Sequence, residues 1–166
     1  MSNQIQKIKT EDRKKLYQYL NLKLTGLICE EPDALANLSN SAALMGFLME
    51  DINWVGFYRM KNNELVLAPF WGKPACTHIP LDKGVCGAAA TTRQIQIVPD
   101  VHLFPGHVAC DCESASEIVL PIIIDNQVVG VLDVDSPIKD RFNDLDAEGL
   151  KKTVELLIKY VKWNEL

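Results

Sequence analysis

No run of apolar residues in this 166-residue chain approaches the roughly 18 needed to cross a bilayer. The opening residues, Met-Ser-Asn-Gln-Ile-Gln-Lys-Ile-Lys, also lack the apolar core of a secretory signal. Both absences point to a cytoplasmic protein with no membrane partner. Positive charge is scarce: 17 Lys and Arg stand against 22 Asp and Glu, a net charge of −5. Lys83 and Arg93 build no basic stripe, which argues against nucleic acid as the main partner. Repeats and linker-like stretches are missing as well. Residues 1–166 are therefore expected to form one domain, long enough to bury a proper core.

What the chain does have is cysteine in an uneven distribution. Five cysteines in a reducing compartment, an odd number, are a poor disulfide framework. Cys29 ends an apolar helical stretch, Leu24-Thr-Gly-Leu-Ile-Cys, and is expected to be a small buried hydrophobe. The other four, Cys76, Cys86, Cys110 and Cys112, fall within 37 residues. That clustering calls for redox, metal or nucleophile chemistry.

Hydrophobic spacing predicts a helix over 11–30, with Leu16, Leu20, Leu24, Leu27 and Ile28 on one face. Pro32 suits the first turn of a second helix, which carries Leu35, Leu38, Ala42, Met45 and Met49 towards the core. Asn53 to Met60 reads as a strand, Asn62-Asn63 as its hairpin turn and Glu64 to Phe70 as the partner strand. Side-chain alternation places Trp54, Gly56 and Tyr58 on one face. Two aromatics flanking a glycine make either a pocket wall with a notch or plain core packing.

Cys76 lies on or beside a short extended segment. The small residues after Gly84 predict a helix starting near Val85, whose first turn would favour an anion, including a Cys86 thiolate. Glu117 to Ile124 is a strongly apolar strand, Asp125-Asn-Gln a turn, and Val128 to Ser136 the returning strand. Alternation puts Val129, Val131, Asp133 and Asp135 on one face, so two carboxylates project from an otherwise apolar strand. A final helix begins near Leu145 with Asn143 as N-cap, and buries Leu150, Val154, Leu157, Ile158 and Val161. Helices, an antiparallel sheet and a closing helix make an α+β fold.

Between these strands runs an irregular connection of about nineteen residues, longer than compact domains keep without purpose. From His102 to Glu117 it gathers two histidines, two cysteines and three acidic groups, with Phe104, Val108 and Ala109 for packing. Three readings compete for it. A metal site would draw on His78, His102, His107, Cys76, Cys110 and Cys112. It has only one Cys-x-Cys and no matching second ligand pair. Inert buried cysteines are the second reading, and the polar, Pro- and Gly-rich setting of Cys110 suits them poorly. The third is thiol redox chemistry: a nucleophilic cysteine, others able to resolve its sulfenic acid, and nearby acids to supply protons.

Five segments carry a resemblance to a known family. They are Asn53-Trp-Val-Gly-Phe-Tyr, Ile79-Pro-Leu-Asp-Lys-Gly-Val-Cys-Gly-Ala-Ala-Ala, Asp100 to Asp111, Ser116-Glu-Ile-Val-Leu-Pro and Gly130-Val-Leu-Asp-Val-Asp-Ser. Over nearly the whole chain the sequence resembles free methionine-(R)-sulfoxide reductase, a catalytic, stand-alone version of the GAF domain. The resemblance implies a six-stranded antiparallel sheet flanked by helices, and a homodimer. It implies Cys110 as catalytic cysteine, Cys76 as resolving cysteine and Cys86 as a third that can join the disulfide relay. Glu117, Asp133 and Asp135 correspond to acidic substrate-site residues, and Trp54 and Tyr58 to the pocket wall. Cys112 is an addition to that pattern. The implied partners are free methionine sulfoxide and a thioredoxin-type reductant, with no metal and no cofactor. The rival expectation is a GAF-type module that senses a small ligand or toggles a disulfide without turnover.

Overall fold

The computed structural model describes residues 5–8, 10–107 and 112–166. Cys110, together with Val108, Ala109 and Asp111 of the long loop, lies outside the described residues. Among those described, the helices are α1 (Arg13–Ile28), α2 (Ala34–Leu48), α3 (Gly84–Thr92) and α4 (Asp144–Tyr160). The strands are β1 (Trp54–Lys61), β2 (Glu64–Gly72), β3 (His78–Pro80), β4 (Gln96–Val98), β5 (Ser116–Ile124) and β6 (Gln127–Ser136). They form a six-stranded antiparallel sheet in the order β3-β2-β1-β6-β5-β4. No helix among the described residues is long and apolar enough to cross a membrane.

Both hairpins turn where the sequence says they should. Asn62 and Asn63 have φ of 52° and 64°, and Asp125 and Asn126 have 48° and 63°. Consecutive positive φ values give the turn whose twist matches the flanking strands, and Asn and Asp tolerate that region best.

The sheet buries a different cluster on each face. Val55, Phe57, Ile118, Leu120, Ile122, Leu132 and Val134 pack against α1, α2 and α4 in the larger core. Trp54, Tyr58, Val119 and Val131 face α3 and its neighbouring loops in the smaller one. The second face carries the candidate site. α4 starts at the expected Asn143 cap, closed reciprocally by Asp146.

Several local expectations change. Cys29 is exposed at the end of α1, because the helix buries its Leu16–Ile28 stripe and Cys29 falls past it. Leu35 is 58% exposed, since the core-facing row of α2 runs through Ala34 and Leu38 instead. Pro32 precedes the helix, which is capped by the Asp33 side chain accepting from the Ala36 N–H. Val129 packs with the larger core, whereas Val128 and Val131 belong to the other face. The cause is an irregularity in the β5–β6 ladder, where Ile123 pairs with Val128 but Ile122 with Gly130. One extra residue on a strand reverses its alternation there.

Candidate active site

Three neighbouring central strands bring the chemistry to one face. Trp54, Gly56 and Tyr58 of β1 lie opposite Asp135, Asp133 and Val131 of β6. Glu117 and Val119 of β5 flank the same two aspartates from the other side. Alternation alone therefore sets Trp54, Tyr58, Glu117, Asp133 and Asp135 on a single patch of sheet.

The two aromatics pack together on this face, and the notch between them is filled. The Trp54 and Tyr58 rings stack with centroids 6.0 Å apart, and Phe70 of β2 stacks on Trp54 at 5.4 Å. A side chain at Gly56 would run into Phe70 and into the Trp54 ring, so the glycine is what lets these rings close up. Phe70 reaches this position through a β1–β2 irregularity. Gly56 pairs with Phe70 while Tyr58 pairs with Leu67, so Ala68 and Pro69 together oppose Phe57. Proline has no N–H to give the ladder, and a bulge is where a strand accommodates it.

The wall also holds the segment that carries Cys76. The Trp54 indole N–H donates to the Lys73 carbonyl at 3.1 Å, and the Tyr58 O–H to the Cys76 carbonyl at 2.9 Å. Cys76 is disulfide-bonded, whereas Cys29, Cys86 and Cys112 are free thiols. Lys73 further pairs with Glu113 at 2.5 Å, tying the strand connection before Cys76 to the end of the long loop.

α3 lowers Cys86 onto the acids. A side chain at Gly87 would meet the Pro80 and Leu81 carbonyls at 2.9 and 2.8 Å, so the helix approaches that backbone closely. Cys86 Sγ sits 3.3 Å from Asp133 Oδ2 and 4.0 Å from Glu117 Oε1. All three residues are buried, with ligand atoms within 4.8 Å of one another. Burial and the neighbouring carboxyls Asp133, Glu117 and Asp135 push the Cys86 thiol up, away from ionisation. The expectation of a Cys86 thiolate at the helix start gives way to a protonated thiol, since carboxyls outweigh one helix end at this spot.

Glu117 and Asp133 are each only 6% exposed. They hydrogen-bond to one another, which requires a proton on one of them. Burial first, then the charges of Asp133 and Asp135, push the Glu117 carboxyl well above its ordinary range. Burial also raises Asp133, while hydrogen bonds from Cys86 and Glu117 pull it back towards ionisation. Both carboxyls are pushed up, so the pair keeps a proton between them. Asp133 Oδ1 is buried without a hydrogen-bond partner, an arrangement costly enough to call for a ligand's donor.

Among the described residues, the grouping able to hold a metal is Cys86, Glu117 and Asp133. None of these belongs to the histidine and cysteine set considered from sequence. His78 instead meets Glu64 at 2.9 Å, and His102 meets Asp100 at 2.8 Å. Lys139 and His102 hold the Asp100 carboxyl down at about 2. The sequence reading missed Phe70 and the Lys73–Glu113 pair. The first is displaced by a bulge that hydrophobic patterning does not show, and the second joins residues 40 positions apart.

The GAF domain model matches residues 24–158. Free methionine-R-sulfoxide reductase of Escherichia coli is 47% identical over 148 residues, covering 89% of this chain and 90% of its own. The protein of that name from Saccharomyces cerevisiae is 43% identical, with 89% and 87% covered. The chain belongs to the free methionine-R-sulfoxide reductase family of GAF domains. The family fold extends through the described sheet. An X-ray structure of free methionine-R-sulfoxide reductase from Neisseria meningitidis, in complex with its substrate, superposes with a TM-score of 0.92 at 37% identity. It covers 97% of each chain. This family membership gives the acid pair and the aromatic wall a chemical context.

Proposed function

We propose that this protein reduces free methionine-(R)-sulfoxide to methionine, residues 1–166 acting as one catalytic unit. The observation that carries the reading is the buried Glu117–Asp133 pair beside the Trp54–Tyr58 wall, with Asp133 Oδ1 left open. Relatives bearing the reductase name, and a solved relative holding its substrate, support it.

A sulfoxide sulfur is a poor electrophile until its oxygen is protonated. Glu117, which keeps its proton above the ordinary carboxyl range, is the general acid. Cys110 is the nucleophile: its thiolate attacks sulfur, oxygen passes to the cysteine as a sulfenic acid, and methionine leaves reduced. Asp133 and Asp135 pair with the substrate's ammonium group, which selects the free amino acid because a residue within a protein has an amide there. Trp54 and Tyr58 line the side chain's path. The Cys76 thiol then condenses with the sulfenic acid, releasing water and forming a disulfide. The free state of Cys86 and Cys112 beside a disulfide-bonded Cys76 supports Cys76 over Cys86 as the resolving thiol. A thioredoxin dithiol restores both thiols by exchange. These steps call on no metal or organic cofactor. A homodimer in the cytoplasm completes the proposal.

The test is NADPH consumption with thioredoxin and thioredoxin reductase, offering free methionine-(R)-sulfoxide, its (S) epimer and the N-acetyl form separately. Turnover of the free (R) epimer alone, abolished by Cys110→Ser with folding intact, is the expected result. Absence of turnover from folded, reduced protein would overturn the reading in favour of a ligand or redox sensor.

A further inference from the structure

We infer that Cys86 is a positioning residue, whose thiol hydrogen holds Asp133 Oδ2 so that Oδ1 faces the substrate's ammonium group. This rests on the functional reading above and departs from the part the family resemblance implies for one cysteine: Cys86 works as a hydrogen-bond donor and not as a member of the disulfide relay.

The geometry carries the inference. A carboxylate has two oxygens, and here they differ: Oδ2 accepts from Cys86 Sγ at 3.3 Å, while Oδ1 is buried with no partner. A carboxylate free to rotate would exchange the two. Fixing one oxygen fixes where the other points. Cys86 itself cannot swing, because it is 3% exposed in the first turn of a helix that Gly87 brings close to the Pro80–Leu81 backbone. The titratable groups around Asp133 are Tyr58 from β1, Glu117 from β5, Asp135 from β6 and Cys86 from α3. Tyr58 commits its hydrogen to the Cys76 carbonyl. Cys86 is therefore the donor from the helix side that reaches Oδ2. A relay thiol, by contrast, must ionise to attack, and carboxyl groups surround this one.

The inference distinguishes two substitutions that a relay would treat alike. Cys86→Ser keeps a donor and loses the sulfur; Cys86→Ala loses both. Alanine should raise KM for free methionine-(R)-sulfoxide about tenfold, with a smaller change in kcat. It should also move the acidic limb of kcat/KM to higher pH. The sign follows from the bond: donation from Cys86 favours ionised Asp133, so without it the ammonium-binding form appears only at higher pH. Serine should restore both quantities most of the way. Equal losses in thioredoxin-coupled turnover for Ser and Ala, with the pH limb unmoved, would overturn the inference and make Cys86 a relay thiol.

A second readout needs no turnover. The infrared S–H band lost in Cys86→Ser should lie at lower frequency than those lost in Cys29→Ser and Cys112→Ser, as hydrogen-bond donation requires. Coincident bands would overturn the inference. Should the wild-type protein reduce none of the sulfoxides, the functional reading falls by itself, and the band still decides whether Cys86 holds Asp133.

Discussion

Asp146 and the Glu117–Asp133 pair are all buried acids, yet they sit on opposite sides of the sheet in opposite electrostatic conditions. Asp146, fully buried on the helical side, accepts from Arg13 at 2.6 Å, Tyr17 at 2.9 Å, Arg141 at 3.2 Å and the Asn143 N–H at 2.9 Å. Its charge is answered by two guanidinium groups and its oxygens by donors. On the other face, Glu117 and Asp133 have a thiol and each other, and one oxygen with nothing. A buried carboxylate that is fully paired belongs to the scaffold. One whose proton is shared and whose acceptor is open is prepared for a molecule that brings its own positive charge.

That contrast can be broken by mutation. The largest effect on stability is expected from Asp146→Ala, which leaves buried Arg141 unpaired and should cost about 3–5 kcal/mol, read from urea unfolding. The folded fraction should keep its activity. Glu117→Gln should do the reverse: at least roughly a hundredfold loss of kcat with the proton donor gone, and a Tm equal to or above that of the wild type. If Glu117→Gln unfolded the protein as Asp146→Ala does, the distinction between scaffold and site would collapse. Asp133→Asn should raise KM by about tenfold, as expected for one lost charged hydrogen bond, again without a fall in Tm.

A weaker effect appears in the dependence of stability on pH. Glu117 and Asp133 have folded-state pKa values raised above the unfolded ones. The folded protein therefore holds protons that the unfolded chain has released, and stability falls as pH rises from about 4 towards the raised folded values. Each such proton contributes a slope of up to about 1.4 kcal/mol per pH unit. Asp133→Asn should flatten this slope in urea titrations at several pH values; an unchanged slope would place the titration elsewhere. The smallest effect belongs to the paired side. Asn143→Ala, removing the cap of α4, should cost about 1 kcal/mol by thermal melting and leave kinetics alone.

Much of this contrast could be read along the chain before any fold was known. Asp133 and Asp135 stand at alternate positions of an apolar strand, and Glu117 opens another, so the period of two projects the acids together once β5 and β6 pair. The helical stripe of α4 and the two positive-φ hairpins were equally legible, because caps and turns are local. Along the chain Asp146 is only a favourable charge at a helix start. Its partners Arg13 and Arg141 come from two other segments, and no local pattern announces such a meeting. The three-residue strand β4 escaped notice because Gln96-Ile97-Val98 is too short to show alternation. Bulges hid more: one at Ala68–Pro69 brings Phe70 onto the Trp54 ring, and one at Val129 turns that side chain to the opposite face. Cys29 failed as a core residue by one position, where an apolar stretch outlasted the helix face it described.

The acids ride on β5 and β6, interior strands paired on both sides, whereas Cys76 precedes β3, a three-residue strand at the sheet edge. In hydrogen-exchange terms these belong to different classes of opening. Amides of interior strands exchange by near-global unfolding, and those of short edge strands by local fraying. A redox cycle that shifts the Cys76 segment would thus be written in the fast-exchanging amides around residues 73–80. The slow-exchanging amides of Glu117 and Asp133 would record nothing.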